Sequence, residues 1–300
     1  MIFKRKELRM QTKEQIAGYL FILPTYILFI LFSLIPTIGT FVVSFTEYNM
    51  VKPLSFVGLE NYKNIFSDSV IPVVTLNTIK YTVFSVVLNV VFALILAIAL
   101  NSKIILAPVR NIARATVFFP YIIAYAYISL IWIYMFSTDT GIINYYLNLV
   151  GIDSVPWFTS HKYALNMLIV LDVWKNVGFG MVIFLSGLQN IPKEYYEAAS
   201  IDGASRIKTV FGITLPLLTP MIVMNTMLYT INALQVFDSI NVITKGGPGD
   251  STRSIVTYLY DTAFKGYKMG YASALSIIFM LAVVVITLMQ FRLDKGSNYN

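Results

Sequence analysis

Residues 191–216 read IPKEYYEAASIDGASRIKTVFGITLP and separate two long apolar stretches of the chain. Pro192 suits the first turn of a helix, and Gly203 suits the left-handed residue that commonly ends one. A second amphipathic segment follows, and Pro216 suits the start of the next apolar stretch. The segment therefore predicts a short helix, a turn and a second helix.

The rest of the chain is too apolar for a water-soluble protein. Of its 300 residues, 57% are hydrophobic and 12% are charged, and the mean hydropathy is +0.71. A soluble domain carries about a quarter charged residues, so most of these apolar side chains must face lipid. The chain contains no cysteine, which excludes disulfides, thiol catalysis and cysteine metal sites.

Apolar runs divide the chain into membrane spans. A helix needs about 20 apolar residues to cross the bilayer core. Such runs occur at residues 16–46, 81–102, 115–138, 163–188, 217–237 and 271–291. The first run is about twice as long as the core of a signal peptide and no small-residue cleavage motif follows it, so we expect it to remain as a span. We predict an all-α membrane protein with one transmembrane domain over residues 1–300 and a loop at 189–216.

Basic residues orient these spans. With the amino terminus in the cytoplasm, the inner segments hold thirteen Lys and Arg residues and the outer segments hold seven. Cytoplasmic loops of membrane proteins carry an excess of positive charge. We therefore expect both termini and the 189–216 loop to be cytoplasmic. The net charge of +7 is spread over the ends of apolar runs, so we do not expect a nucleic-acid partner.

The 189–216 loop resembles the EAA loop of ABC-importer permeases. The matching positions are Glu197, Ala198, Ala199, Gly203, Ile213, Leu215 and Pro216. The resemblance implies the type I ABC-importer permease fold, with six transmembrane helices and a coupling helix that docks in a cleft of a cytoplasmic ATPase. We therefore call residues 189–216 the coupling loop. The resemblance assigns ATPase coupling to Glu197, Ala198, Ala199, Asp202, Gly203 and Pro216. From the residues alone, an amphipathic connector at the membrane surface explains the same pattern.

Two further segments are similar to the carbohydrate branch of this family, which includes maltose and glycerol-3-phosphate importers. One is residues 244–248, TKGGP, followed by Thr252, and the other is residues 56–62, FVGLENY. In the first, which we call the external loop, Gly246 and Gly247 permit positive φ and Pro248 stiffens the chain. The resemblance therefore implies a carbohydrate as the transported solute.

Polar residues inside the spans are candidates for a substrate pathway, because ionisable groups there are costly. Asp172 and Lys175 share one helical face and are able to pair. The positions that match the sugar site of maltose-type permeases are Lys175, Asn176, Phe179, Tyr229, Asn232, Ala233 and Val236. Several residue types differ from the maltose pattern, so the resemblance does not identify which sugar is transported. A structural ion pair and polar contacts between helices explain the same residues.

The resemblance also implies partners. They are a second homologous permease forming a heterodimer, two copies of the ATPase and an extracellular sugar-binding protein, with ATP and Mg held by the ATPase. We expect no cofactor or metal on this chain, which would lie as a multi-pass protein in the cell membrane. It would import a sugar or oligosaccharide by alternating access.

Enzymatic motifs are missing from the sequence. It has no GxxxxGK[ST] phosphate loop, no HExxH and no GxSxG. Asp250 and Asp261 imitate an intramembrane aspartyl pair, but both lie in one polar loop outside the spans. We therefore expect that the chain is not an enzyme. A stand-alone secondary transporter or channel remains the alternative function, although it would favour an internal repeat, and none is visible.

Overall fold

The structure is a computed structural model that describes residues 2–51, 53–102 and 106–295. Its helices are α1 (Ile2–Phe29), α2 (Ile35–Val43), α3 (Glu60–Ser67), α4 (Val70–Asn101), α5 (Ala107–Ile122), α6 (Tyr125–Met135), α7 (Ile142–Leu149), α8 (Ala164–Asn190), α9 (Lys193–Ile201), α10 (Arg206–Thr209), α11 (Leu215–Leu234), α12 (Asp238–Ile243), α13 (Ile255–Tyr260) and α14 (Met269–Lys295). Among the described residues, π-helical turns lie at Ile30–Leu34, Val210–Thr214 and Asp261–Lys265. Two short strands, β1 (Thr46–Glu47) and β2 (Ser55–Phe56), pair antiparallel.

Long apolar helices account for the predicted spans. Within the described residues, the continuous helical segments long and apolar enough to cross a membrane are Gln15–Val43, Val70–Asn101, Ala164–Asn190, Arg206–Ile243 and Met269–Arg292. A sixth candidate is the pair α5 and α6, in which the helix axis bends by 101° between the two helices. The predicted all-α class is confirmed, and three of the predicted spans differ from the helices observed.

The second span begins at Val70, eleven residues before the predicted start at residue 81. The prediction stopped at Lys80 because a charge ended the apolar run. Lys80 lies within the helix with its side chain exposed. A long lysine side chain keeps its charge in a polar region while its stem covers apolar surface, so a single lysine does not end a helix.

The third span, predicted as one run over 115–138, is broken. Ile123 and Ala124 have extended backbones, with ψ of 136° and 141°, and they separate α5 from α6. Both residues are apolar, so the hydrophobic run continues through the break. Hydropathy therefore gave no sign of the 101° bend.

The fifth span begins within the coupling loop. The predicted start at residue 217 lies eleven residues after Arg206, where the continuous helical segment begins. The Ser205 hydroxyl caps this segment by accepting a hydrogen bond from the Lys208 N–H. The π-helical turn at Val210–Thr214 ends two residues before Pro216, and widened turns of this kind accommodate a residue that lacks an N–H.

The chain divides into two compact units. One comprises the residues up to Ser67 together with Thr262–Ile278. In it, the Asn61 amide donates to the Ser44 and Thr46 carbonyls at 2.9 Å each. Gly270 packs directly on the Thr46 carbonyl, leaving no room for a side chain. These contacts fix the start of α14 beside the strand pair.

The other unit comprises Asp68–Asp261 and the chain from Phe279 onward. Helix α8 lies at its centre, since 56% of its most apolar stretch is buried, against 33% for α4. It supplies buried residues to three separate apolar clusters, namely Met167, Leu168, Ile169, Leu171, Val177, Met181, Phe184, Leu185 and Leu188. A polar residue on α8 therefore faces other helices of the chain, and Asp172 and Lys175 are both buried.

Candidate functional site

The coupling loop folds as a helix, a tight turn and a second helix. Helix α9 begins directly after Pro192, and Gly203 follows its end at φ +69°. The Gly203 N–H donates to the Ser200 carbonyl at 3.2 Å, and the Ala204 N–H donates to the Ala199 carbonyl at 2.9 Å. These two bonds form a Schellman motif, which requires a left-handed residue. The prediction that Gly203 ends the helix is confirmed.

A groove of about 750 Å³ lies between α9 and the helical segment that follows the turn. The groove is open because small residues line it, namely Ala198, Ala199, Ala204 and Gly212. Glu194, Asp202 and Lys208 place charges of both signs around it. Glu197 and Pro216 are exposed nearby without lining it. The arrangement suits a protein surface that approaches the backbone closely.

Asp172 is the centre of a buried polar cluster between spans. Its Oδ1 accepts hydrogen bonds from the Tyr125 hydroxyl at 2.6 Å and the Asn176 amide at 2.9 Å. Its Oδ2 accepts a bond from the Asn89 amide at 3.0 Å. Three helices, α4, α6 and α8, therefore meet at one carboxylate.

Lys175 bonds to the third span rather than to Asp172. Its Nζ donates to the Tyr121 carbonyl at 2.9 Å and lies 4.6 Å from the centre of the Tyr125 ring. Phe179, one turn further along α8, stacks on the Tyr121 ring with centres 4.7 Å apart. The ion pairs formed by the described residues do not include Asp172 with Lys175, so the alternative of a structural ion pair between them is not observed. Each charge instead finds separate partners on the broken third span.

Tyr229 joins α11 to α8. Its hydroxyl accepts a bond from the Gly180 N–H and donates to the Asn176 carbonyl, both at 2.9 Å. Ala233 and Val236 are buried on the same side of the segment, whereas Asn232 is exposed at its flank. Contacts thus link Lys175, Asn176, Phe179 and Tyr229. Ala233 and Val236 pack in the same apolar cluster as Tyr229.

The external loop packs against α4. The Asn77 amide donates to the Asp250 and Arg253 carbonyls at 2.7 and 3.2 Å. Gly246 has the expected positive φ of 87°, but Gly247 does not and precedes a cis peptide bond to Pro248. Besides Gly246, positive φ values occur in this loop at Lys245, Gly249 and Asp250.

The two carboxylates that imitate a protease pair are joined by one guanidinium. Arg253 contacts Asp250 at 2.6 Å and Asp261 at 3.6 Å. Each carboxylate is thus paired with the guanidinium. An aspartyl pair that activates water shares a proton instead, so this geometry is typical of a structural ion-pair network.

Sequence reasoning missed the polar face of α4. Asn77, Tyr81, Ser85 and Asn89 recur every four residues, and each side chain is at most 8% exposed. That spacing places them on one helical face. The same argument that placed Asp172 and Lys175 on one face of α8, applied to α4, would have identified Asn89 as a member of a polar helical face.

Comparison with known proteins gives the family. Residues 89–298 match the family described as binding-protein-dependent transport system inner membrane component. The chain is 39% identical to the probable ABC transporter permease protein YesP of Bacillus subtilis, over 98% of this chain and 94% of that protein. It is 34% identical to the trehalose/maltose transport system permease protein MalF of Thermococcus litoralis, over 96% of each.

The fold is that of an ABC-importer permease. A bacterial ABC transporter involved in the import of the acidic polysaccharide alginate contains a chain that superposes with a TM-score of 0.87. The match covers 98% of this chain and 100% of that one at 24% sequence identity. The sequence matches and the shared fold lead to one assignment: the chain belongs to the binding-protein-dependent transport system inner membrane component family, as a multi-pass permease subunit of an ABC importer.

Proposed function

We propose that this permease imports a sugar or oligosaccharide and couples to its motor through the groove beside α9. The groove supports coupling because it combines an accessible backbone with charges of both signs on a helical hairpin. The EAA-type residues lie on or beside this groove. A relative named for trehalose and maltose transport supports a carbohydrate.

The ATPase belongs to a separate subunit in this proposal, which includes two ATPase copies, a second homologous permease and an extracellular sugar-binding protein. ATP and Mg lie in the ATPase, and this chain holds no cofactor. The missing phosphate loop supports the division of labour, since a chain of this kind needs an external source of energy. Apolar surface supports the second permease, because Arg206–Ile243 is only 11% buried in its most apolar stretch.

The substrate pathway runs along the exposed flank of α11 in this proposal. Asn232 supplies an exposed amide, and Asn176 and Phe179 are half-buried on α8. Amides and an aromatic face are the groups that bind sugar hydroxyls and sugar rings. Lys175, Tyr229, Ala233 and Val236 lie behind this surface and support it, since all four are buried.

The coupling proposal is tested by filling the groove. Ala198→Trp places a large side chain in the groove, whereas Ser200→Trp places it on the same helix outside the lining. We expect tagged wild type and Ser200→Trp to co-purify an ATPase from native membranes and to support ATP-dependent sugar uptake. Ala198→Trp should lose both. Equal ATPase recovery from the two variants would contradict docking at this groove.

The substrate is tested separately with vesicles that contain the assembled transporter and its binding protein. Trehalose, maltose and arabino-oligosaccharides form a first panel, with an amino acid as the negative control. We expect ATP-dependent accumulation of at least one carbohydrate. We also expect Asn232→Ala to raise the concentration that gives half-maximal uptake. ATP-independent solute movement by this chain alone would favour a secondary transporter.

A further inference from the structure

Four side chains on α8 contact the third span at its break. Asp172, Lys175, Asn176 and Phe179 occupy one face of α8, at intervals of three, one and three residues. Each contacts Tyr121 or Tyr125, the residues that flank the extended pair Ile123–Ala124. The contacts thus concentrate where α5 ends and α6 begins.

Lys175 serves the first half of the broken span. The last four carbonyls of a helix have no partner within it, and Tyr121 contributes one of those carbonyls in α5. The Lys175 ammonium donates to it at 2.9 Å. A cation at this end also faces the negative pole of the helix dipole. In an apolar environment an unpaired carbonyl is costly, so Lys175 stabilises the ending of α5.

Asp172 serves the second half. Tyr125 is the first residue of α6, and its hydroxyl donates to Asp172 Oδ1 at 2.6 Å. The Asn176 amide donates to the same hydroxyl, also at 2.6 Å. The tyrosine ring lies 4.6 Å from the Lys175 ammonium, so one side chain contacts both charges.

We propose that Asp172 and Lys175 are positioning residues that together hold the third span broken at Ile123–Ala124. Lys175 holds the end of α5 and Asp172 holds the start of α6. This role goes beyond the proposed transport function and does not depend on which solute is moved. It explains why two opposite charges lie one turn apart on α8 and why each bonds to the third span. It also explains why an apolar stretch bends by 101°.

The break is measurable as a distance, and the cysteine-free chain permits site-specific labels. Ile112 on α5 and Tyr134 on α6 are both exposed, and replacing each with cysteine provides sites for a pair of spin labels. A continuous helix would place these positions about 33 Å apart, since it rises about 1.5 Å per residue. The bend makes the separation shorter by on the order of 10 Å.

The test compares three variants in the labelled full chain, reconstituted in lipid. Lys175→Met and Tyr125→Phe should each broaden the distance distribution towards longer values. The Asp172→Lys/Lys175→Asp double variant should be at least as broad, because an aspartate would then face the Tyr121 carbonyl. Thr226→Val is the matched control, since it removes a hydroxyl that bonds only within α11, and it should match wild type.

Two results would overturn the proposal. Restoration of the wild-type distance by the charge swap would show that the two residues act only as an ion pair. A wild-type distance in both Lys175→Met and Tyr125→Phe would show that the break holds without them. Tyr125→Phe removes only one hydroxyl, so this variant still tests the proposal if the charge variants do not fold.

Discussion

Gly178 lies where α8 approaches α5 closely. A Cβ at this position would lie 2.3 Å from the Val117 carbonyl oxygen and 2.7 Å from the Phe118 Cα. Both atoms belong to the backbone, so they do not move aside as the end of a flexible side chain does. We expect Gly178→Ala to destabilise the protein by about 1–3 kcal/mol through overpacking. The measurement is a lower Tm of the purified chain in detergent.

The control for this substitution is Gly39→Ala on α2. A Cβ at Gly39 would have no atom within 4 Å. Alanine has the higher helix propensity, so the Tm should stay unchanged or rise slightly. An equal change in Tm for both substitutions would contradict the explanation that Gly178 is needed for close packing of α8 on α5.

At the scale of elements, the turn after α9 sets the shape of the coupling loop. Gly203 has φ +69°, and a Cβ there would meet no neighbouring atom, so the cost of a side chain is purely backbone strain. We expect Gly203→Ala to cost about 1–2 kcal/mol in the left-handed region. The distorted turn should then reduce recovery of the co-purified ATPase.

Gly151 provides the matched control, because it has φ +81° after α7 and open space around its Cβ position. Gly151→Ala introduces similar strain far along the chain from α9. We expect it to leave ATPase recovery unchanged. Loss of the ATPase in both variants would mean that the effect comes from general instability.

Elements differ in how well the sequence predicts them. The apolar run of α8 was found because charges and turns bound it on both sides. The end of α9 was found because Gly203 has a specific conformational role. The break at Ile123–Ala124 was not found, because the groups that hold it lie about 50 residues away on α8. Local patterns carry no information about such contacts. For the same reason, the spacing of Asp172 and Lys175 could not show that each bonds to the third span.

For the molecule as a whole, the long apolar helices differ in the share of their residues that is buried. The most apolar stretch of Gln15–Val43 has none of its residues buried, against 56% in α8. Apolar helices with so little buried surface need lipid or another subunit to cover them. The proposed second permease would cover part of this apolar surface. The charged residues of α8, Asp172 and Lys175, are buried within the chain itself.

The orientation of the whole molecule gives the final prediction. Helix α8 spans 27 residues, about 40 Å at the helical rise, so the segments that precede and follow it lie on opposite sides of the bilayer. Asp153 precedes α8 and Ser200 follows it, and both are exposed. In intact cells, we expect a membrane-impermeant maleimide to label Asp153→Cys, because the excess of positive charge places the coupling loop inside. Ser200→Cys should react only after permeabilisation. The reverse labelling pattern would show that the charge bias fails to orient this chain, and the groove beside α9 would then be out of reach of a cytoplasmic ATPase.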